Sequence, residues 1–191
     1  MNLTVEDPGK ERERAKALLD GQNHILRLIN EDSPLPETLS AICLTIEAQL
    51  PGLLCSVLLL DEEREHLLHG AAPSLPQDYC EAIHGISIGP RIGACGTVAY
   101  TGQPVLVEDV ADHPHFAAFR ELAFIKHGLR ACWSTPIRSY EGQVIATFAM
   151  YYRTPKLPSL YERKLIDFSS HLVCIAVNRH RARAELAATV G

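Results

Sequence analysis

Residues 127–152 read HGLRACWSTPIRSYEGQVIATFAMYY. Two apolar runs rich in β-branched and aromatic residues, 131–138 and 144–152, flank the polar, glycine-containing stretch 139–143. That pattern predicts an antiparallel hairpin. Alternation along the first run sends Arg130, Cys132 and Ser134 to one face and Ala131, Trp133 and Thr135 to the other. On the second run it separates Thr147, Ala149 and Tyr151 from Phe148 and Met150.

Upstream, residues 54–60 (LCSVLLL) are too short and too continuously apolar for a surface helix and predict a central strand. The charged turn 61–65 closes it, and 66–72 return antiparallel. Residues 104–110 predict a further short strand. Between 73 and 102 the chain carries Gly85, Gly89, Gly93, Gly96 and Gly102 and reads as loop with short helix. A short helix is expected within 114–127, which holds Phe116, Phe119, Leu122 and Phe124. Helices are expected over 11–30, ended by Glu31-Asp32-Ser33-Pro34, and over about 39–50, ended by Pro51-Gly52. Downstream, Ser159 and Glu162 form a capping box ahead of the stripe Leu165, Phe168, Leu172, Ile175. A helix over 160–188 would be roughly 43 Å long, more than the width of a small sheet domain. Helices at both chain ends around hairpin-connected strands give an α+β class with an antiparallel sheet.

The 191 residues suffice for one domain with extra helical length. A net charge of −5 and a pI near 6.0 exclude the clustered basic excess of a nucleic-acid binder. The basic cluster 179–183 reads as a helix surface. No run reaches the ~18 apolar residues of a membrane span, and the charged start is no signal peptide. Cys43, Cys55, Cys80, Cys95, Cys132 and Cys174 show neither a C-x-x-C pair nor a disulfide framework, which points to free thiols in a reducing cytoplasm.

The run IGPRIGACGTVAYTGQPVLVED, 88–109, together with 127–152, resembles the GAF domains of bacterial sensor kinases and cyclic-di-GMP enzymes. The resemblance covers residues 20–185. It implies a central antiparallel sheet with the N- and C-terminal helices on one face and a pocket on the other, roofed by 73–127. It also divides the chain into a helical lead (1–19), the GAF sensor domain (20–178) and a helical linker (179–191). It implies ligand contacts at Tyr79, Cys95, Phe116, Phe119, Cys132, Ser134, Thr147 and Tyr151, with the ligand and any cofactor unknown. Terminal helices of such domains pair with those of a second copy, which assigns a dimer seam to Leu18, Ile25, Leu165, Leu172 and Ile175. The solvated stretch from Asn178 onward is expected to lie beyond the sheet edge and lead to an output domain outside this chain.

Four alternatives bear on chemistry. GAF-fold reductases of free methionine sulfoxide attack with a cysteine in the loop matching 112–119, where this chain has none, and their carboxylates fall on Cys132, Ala149 and Tyr151. The expectation is therefore a regulatory module and not an enzyme. A bilin is disfavoured because no Cys-His dipeptide occurs. Haem would have to be held by His113, His115 or His127. The pairs His113/His115 and His66/His69 lack a third ligand at recognisable spacing, so no metal site is expected. A blander reading, dimerisation alone, would be favoured by an apolar cavity too small for a ligand.

Overall fold

The computed structural model describes residues 8–190. In chain order it contains α1 (Pro8–Asn30), α2 (Leu35–Glu47), β1 (Leu54–Leu60), β2 (His66–Ala71), α3 (Gln77–Ile83), β3 (Ile86–Ser87), α4 (Gly93–Thr101), β4 (Val105–Val107), β5 (Ala131–Arg138), β6 (Val144–Tyr152) and α5 (Leu160–Val190). A 3₁₀ turn at Pro114–Phe116 and a π-helical turn at Glu121–Lys126 lie between β4 and β5. The six strands run in the order β3-β2-β1-β6-β5-β4, with every neighbouring pair antiparallel. The class is α+β, with the two long hairpins meeting where β1 pairs with β6.

The hairpin of 127–152 occupies the residues its pattern demands, with Cys132 opposite Tyr151 and Trp133 opposite Met150. β1 lies between β2 and β6, which explains its continuous apolar run: both faces are buried. Two cores result. One packs α2 and α5 on Cys55, Val57, Trp133, Phe148 and Met150. The other packs α3, α4 and the 110–129 segment on Leu58, Cys132, Ala149 and Tyr151. β3 is a sixth strand that the sequence does not announce, because two residues are too few to show a period. α4 is a buried helix inside a glycine-rich run, where loop signals mask its start.

On the helical face, a Cβ at Gly21 would stand 2.3 Å from Thr45 Cγ2. That mid-helix glycine lets α1 and α2 approach closely. The capping box forms reciprocally: Ser159 Oγ accepts from Glu162 N at 3.2 Å, and Glu162 Oε2 accepts from Ser159 N at 2.8 Å. Glu162 also accepts from Tyr152 Oη and Lys156 Nζ, while Trp133 Nε1 donates to the Lys156 carbonyl at 3.0 Å. The strap 153–159 is thereby tied to the sheet.

The first turns after Asn178, expected to lie beyond the sheet edge, make contacts back to it. Arg181 Nη2 donates to the Leu60 carbonyl at 3.0 Å. Asp32, in the left-handed region at φ 58°, pairs with Arg179 at 3.2 Å and Arg183 at 2.8 Å. Charged side chains that read as a solvated surface in sequence reach back to the sheet end and the α1–α2 turn. The expected boundaries at 19/20 and 178/179 both fall inside continuous helices.

Candidate functional site

The sheet face opposite α2 and α5 carries a small hollow. Its floor is Leu58 of β1, Cys132 of β5 and Tyr151 of β6. Its roof is Tyr79 and Ile83 of α3, Ile86 of β3, the first turn of α4 with Ile92 before it, and Phe116 and Phe119. The volume is about 20 Å³, room for one water and far below the ~300 Å³ at which drug-sized ligands are housed. The aromatic side chains of the roof fill the space themselves, with Tyr79 edge-on to Tyr151 at 6.1 Å.

Every lining side chain is uncharged. Burial pushes the thiol of Cys95 up, although the Ser134 hydrogen bond, with the Thr147 and Tyr151 hydroxyls beside it, pulls it part of the way back. Burial drives Cys132, Tyr79 and Tyr151 well above their ordinary values, and their mutual proximity adds to the effect. The polar atoms pair with one another. Ser56 Oγ and Tyr151 Oη share a hydrogen bond at 3.1 Å, and Ser134 Oγ donates to Cys95 Sγ at 3.3 Å. Thr147 Oγ1 is buried and makes no well-formed hydrogen bond.

Six of the eight anticipated contacts, Tyr79, Cys95, Phe116, Phe119, Cys132 and Tyr151, line this hollow. Ser134 sits behind Cys95 and donates to it, with Thr147 beside the same thiol. Sequence reasoning missed Ile83, Ile86 and Ile92; Leu58 could have been found by alternation along β1. Of the candidate haem histidines, none lines the hollow. His127 Nε2 is 2.9 Å from Asp78, and His113 accepts the His115 backbone N–H. Among the described residues, no group of three or more His, Cys, Asp or Glu side chains is placed to hold a metal.

Ion pairs hold the roof down. Asp78 of α3 meets Lys126 at 2.5 Å and His127, and the Lys126 hydrogen bond above all brings its carboxyl down to about 2. Arg130 grips Asp109 through Nε at 2.8 Å and Nη2, with its guanidinium 5.0 Å over the Phe124 ring.

The anticipated dimer seam needs correction. Ile25, Leu165 and Leu172 are 0%, 1% and 2% exposed and belong to the helical-face core. Their heptad-like spacing is read by the chain's own sheet, so no partner helix can reach them. Leu18 and Ile175 are half-buried against the same core. The large apolar side chains left open are Leu19 on α1 and Leu160 and Leu186 on α5, at 55%, 80% and 69% exposure.

An antiparallel six-stranded sheet with terminal helices on one face and a roofed hollow on the other defines the GAF fold. The chain belongs to the GAF domain family, whose profile matches residues 32–178. A methyl sulfide methyltransferase-associated sensor of Methanosarcina acetivorans is 38% identical over 172 residues, covering 90% of this chain. The chain spans 17% of that protein's length. Among solved structures, the GAF domain of a Coxiella burnetii phosphoenolpyruvate-protein phosphotransferase superposes with a TM-score of 0.67 at 19% identity, over 91% of this chain and 98% of that one. The free methionine-R-sulfoxide reductase of Neisseria meningitidis superposes with a TM-score of 0.64 at 16% identity, over 97% and 98%. That last likeness corrects the expectation that the chain is no enzyme. The same fold, matched over nearly its whole length, carries catalysis in that protein, so membership of the fold does not separate sensors from enzymes. No helix of the described residues is long and apolar enough to cross a membrane.

Proposed function

We propose that this chain is a regulatory sensing module of a larger signalling protein, with a pocket that takes a small uncharged ligand. The observation that carries this reading is the hollow between sheet and roof, lined by twelve residues of which none is charged. Its thiols and phenols are held protonated by burial. A charged ligand entering there would lose its hydration with nothing to pair it. Since the space is one water in size, binding requires the roof to lift. The roof is built for that, with short irregular turns pinned by partly exposed ion pairs that are individually weak. Support from outside the chain is the sensor of M. acetivorans, in which the matching segment is a small part of a longer protein. In this reading an output domain of the histidine-kinase or cyclic-di-GMP type follows α5, the chain works in the cytoplasm, and two copies pair through Leu19 and Leu186.

Native mass spectrometry of freshly purified protein tests the reading, followed by melting curves with a panel of neutral small molecules. A thioether such as dimethyl sulfide heads the panel because of the name of that relative. The expected result is one adduct or one stabilising compound whose effect is lost in Ala94→Phe, which fills the hollow. No adduct, and no stabilisation by any uncharged compound, would overturn it. A second reading, a dimerising domain with a closed pocket, is favoured by the 20 Å³ volume alone. It predicts a stable dimer together with that negative outcome.

A further inference from the structure

Three elements converge on Arg138 at the end of β5. Its guanidinium donates from Nη2 to the Gly102 carbonyl at 2.6 Å and from Nη1 to the Gly142 carbonyl at 2.8 Å. Gly102 is the left-handed C-cap of α4, at φ 68°. A Cβ there would stand 3.0 Å from Nη2, so glycine is what admits the guanidinium to the end of the helix. On its other side, the backbone carbonyl of Arg138 accepts Cys174 Sγ–H of α5 at 3.2 Å. Asn178 Nδ2 reinforces that spot, donating to the Cys174 carbonyl at 2.8 Å and lying 3.3 Å from its sulfur. The register of β5 against β6 slips between Ile137 and Arg138, which is where a strand can bend without breaking its neighbours' pairing.

We propose that Arg138 is a positioning residue that transmits displacement of the pocket helix α4 to the long helix α5. The proposal rests on the sensing reading and specifies how that site would be heard at the other face of the sheet. The first turn of α4, Gly93 to Cys95, lines the hollow, and every residue from Gly93 to Ala99 is buried. A close-packed helix moves as a body and does not deform internally. An occupant larger than a water therefore shifts both ends of α4, and the far end is the carbonyl that Arg138 holds. The planar fork of arginine reads two carbonyls forty residues apart in sequence, Gly102 and Gly142; lysine, a single point charge, cannot bridge them in the same way. The movement passes through the bulge to the Cys174 contact, and so to α5.

A double-mutant cycle needs no ligand. Ala94→Val crowds the hollow and pushes α4 from within; Arg138→Met removes the donors and keeps the aliphatic stem. The readout is the rate at which N-ethylmaleimide labels Cys174, followed by peptide mass spectrometry, with added glutathione as the reference thiol and circular dichroism to establish folding. With Arg138 present, Ala94→Val should change Cys174 labelling about fivefold, the lower end of ordinary coupling between sites. In the Arg138→Met background the same substitution should leave it unchanged, and Arg138→Lys should fall between. If Ala94→Val fails to fold, Cys95→Ala supplies the perturbation by loosening the same turn. Equal responses in both backgrounds, or none in either, would overturn the relay. A relay that works in a protein with no detectable ligand would overturn only the sensing reading.

Discussion

Ser134 on the sheet donates its hydroxyl to the thiol of Cys95 on α4 at 3.3 Å, joining floor to roof through two buried, uncharged groups. The neutrality of this region has a consequence for pH. Unfolded, cysteine loses its proton near pH 8.5 and tyrosine near pH 10. Folded, Cys95, Cys132, Tyr79 and Tyr151 keep theirs to higher pH, because burial disfavours the charged forms. Stability from these raised values is fully present below the unfolded ones and is lost as pH rises past them. Melting temperature should therefore fall steadily from about pH 8.5 to pH 11. A flat profile over that range would show that these groups ionise freely in the folded protein.

Thr147 is fully buried with its hydroxyl in no well-formed hydrogen bond. Leaving such a group unpaired costs free energy that an isosteric methyl does not incur. Thr147→Val should melt at the same temperature as the parent or a few degrees higher, given about 2–4 °C per kcal/mol for a chain of this size. A fall of several degrees would mean that the hydroxyl has a partner worth keeping, with Cys95 beside it the obvious one.

The roof is pinned by Asp78 between Lys126 and His127. Asp78→Asn keeps the size and removes the charge. Exposed pairs of this kind are individually weak, so amide exchange over 114–128 should speed up only about two- to fivefold, with β5 and β6 unchanged. Because the Asp78 carboxyl is held low by Lys126 and then His127, its contribution is present above the unfolded value near pH 4 and is lost as pH falls below that. The parent roof should therefore loosen in acid before the sheet does, and Asp78→Asn should lose that dependence.

Leu172 and Leu19 separate packing from pairing. Leu172 is 2% exposed in the core beneath the sheet, so Leu172→Glu buries a charge and should abolish the fold's circular dichroism signal at 37 °C, since an unpaired buried charge costs several kcal/mol. Leu19 is 55% exposed on α1, so Leu19→Glu should leave stability within about 0.5 kcal/mol. If two copies pair through α1, it should shift sedimentation toward the monomer. A folded Leu172→Glu protein would show that α5 does not pack as described.

How much of this was legible beforehand depends on the length of each signal. The hairpin of 127–152, the central strand 54–60 and the capped start of α5 were readable to the residue. Their periods run over seven or more positions, and their ends carry turn or cap chemistry that acts locally. Alternation alone set Cys132 apart from Trp133, and the family resemblance supplied which face carries the pocket. β3, at two residues, and α4, opening on Gly93, had no local signature and exist because the roof closes over the sheet. The seam was misplaced for the same reason. The stripe Leu165, Leu172 and Ile175 states that one side of α5 is covered, but not by what, and the sheet claims the two leucines outright. Nor could spacing show that Asp32 would reach Arg179 and Arg183 across almost the whole chain. Periodicity and capping are properties of neighbours in sequence, so the chain alone determined its longer strands and helices and which of their side chains share a face. The volume of that hollow, the partner of each helix face and the bridge at Arg138 depend on contacts between distant segments, and only the tertiary packing decided them.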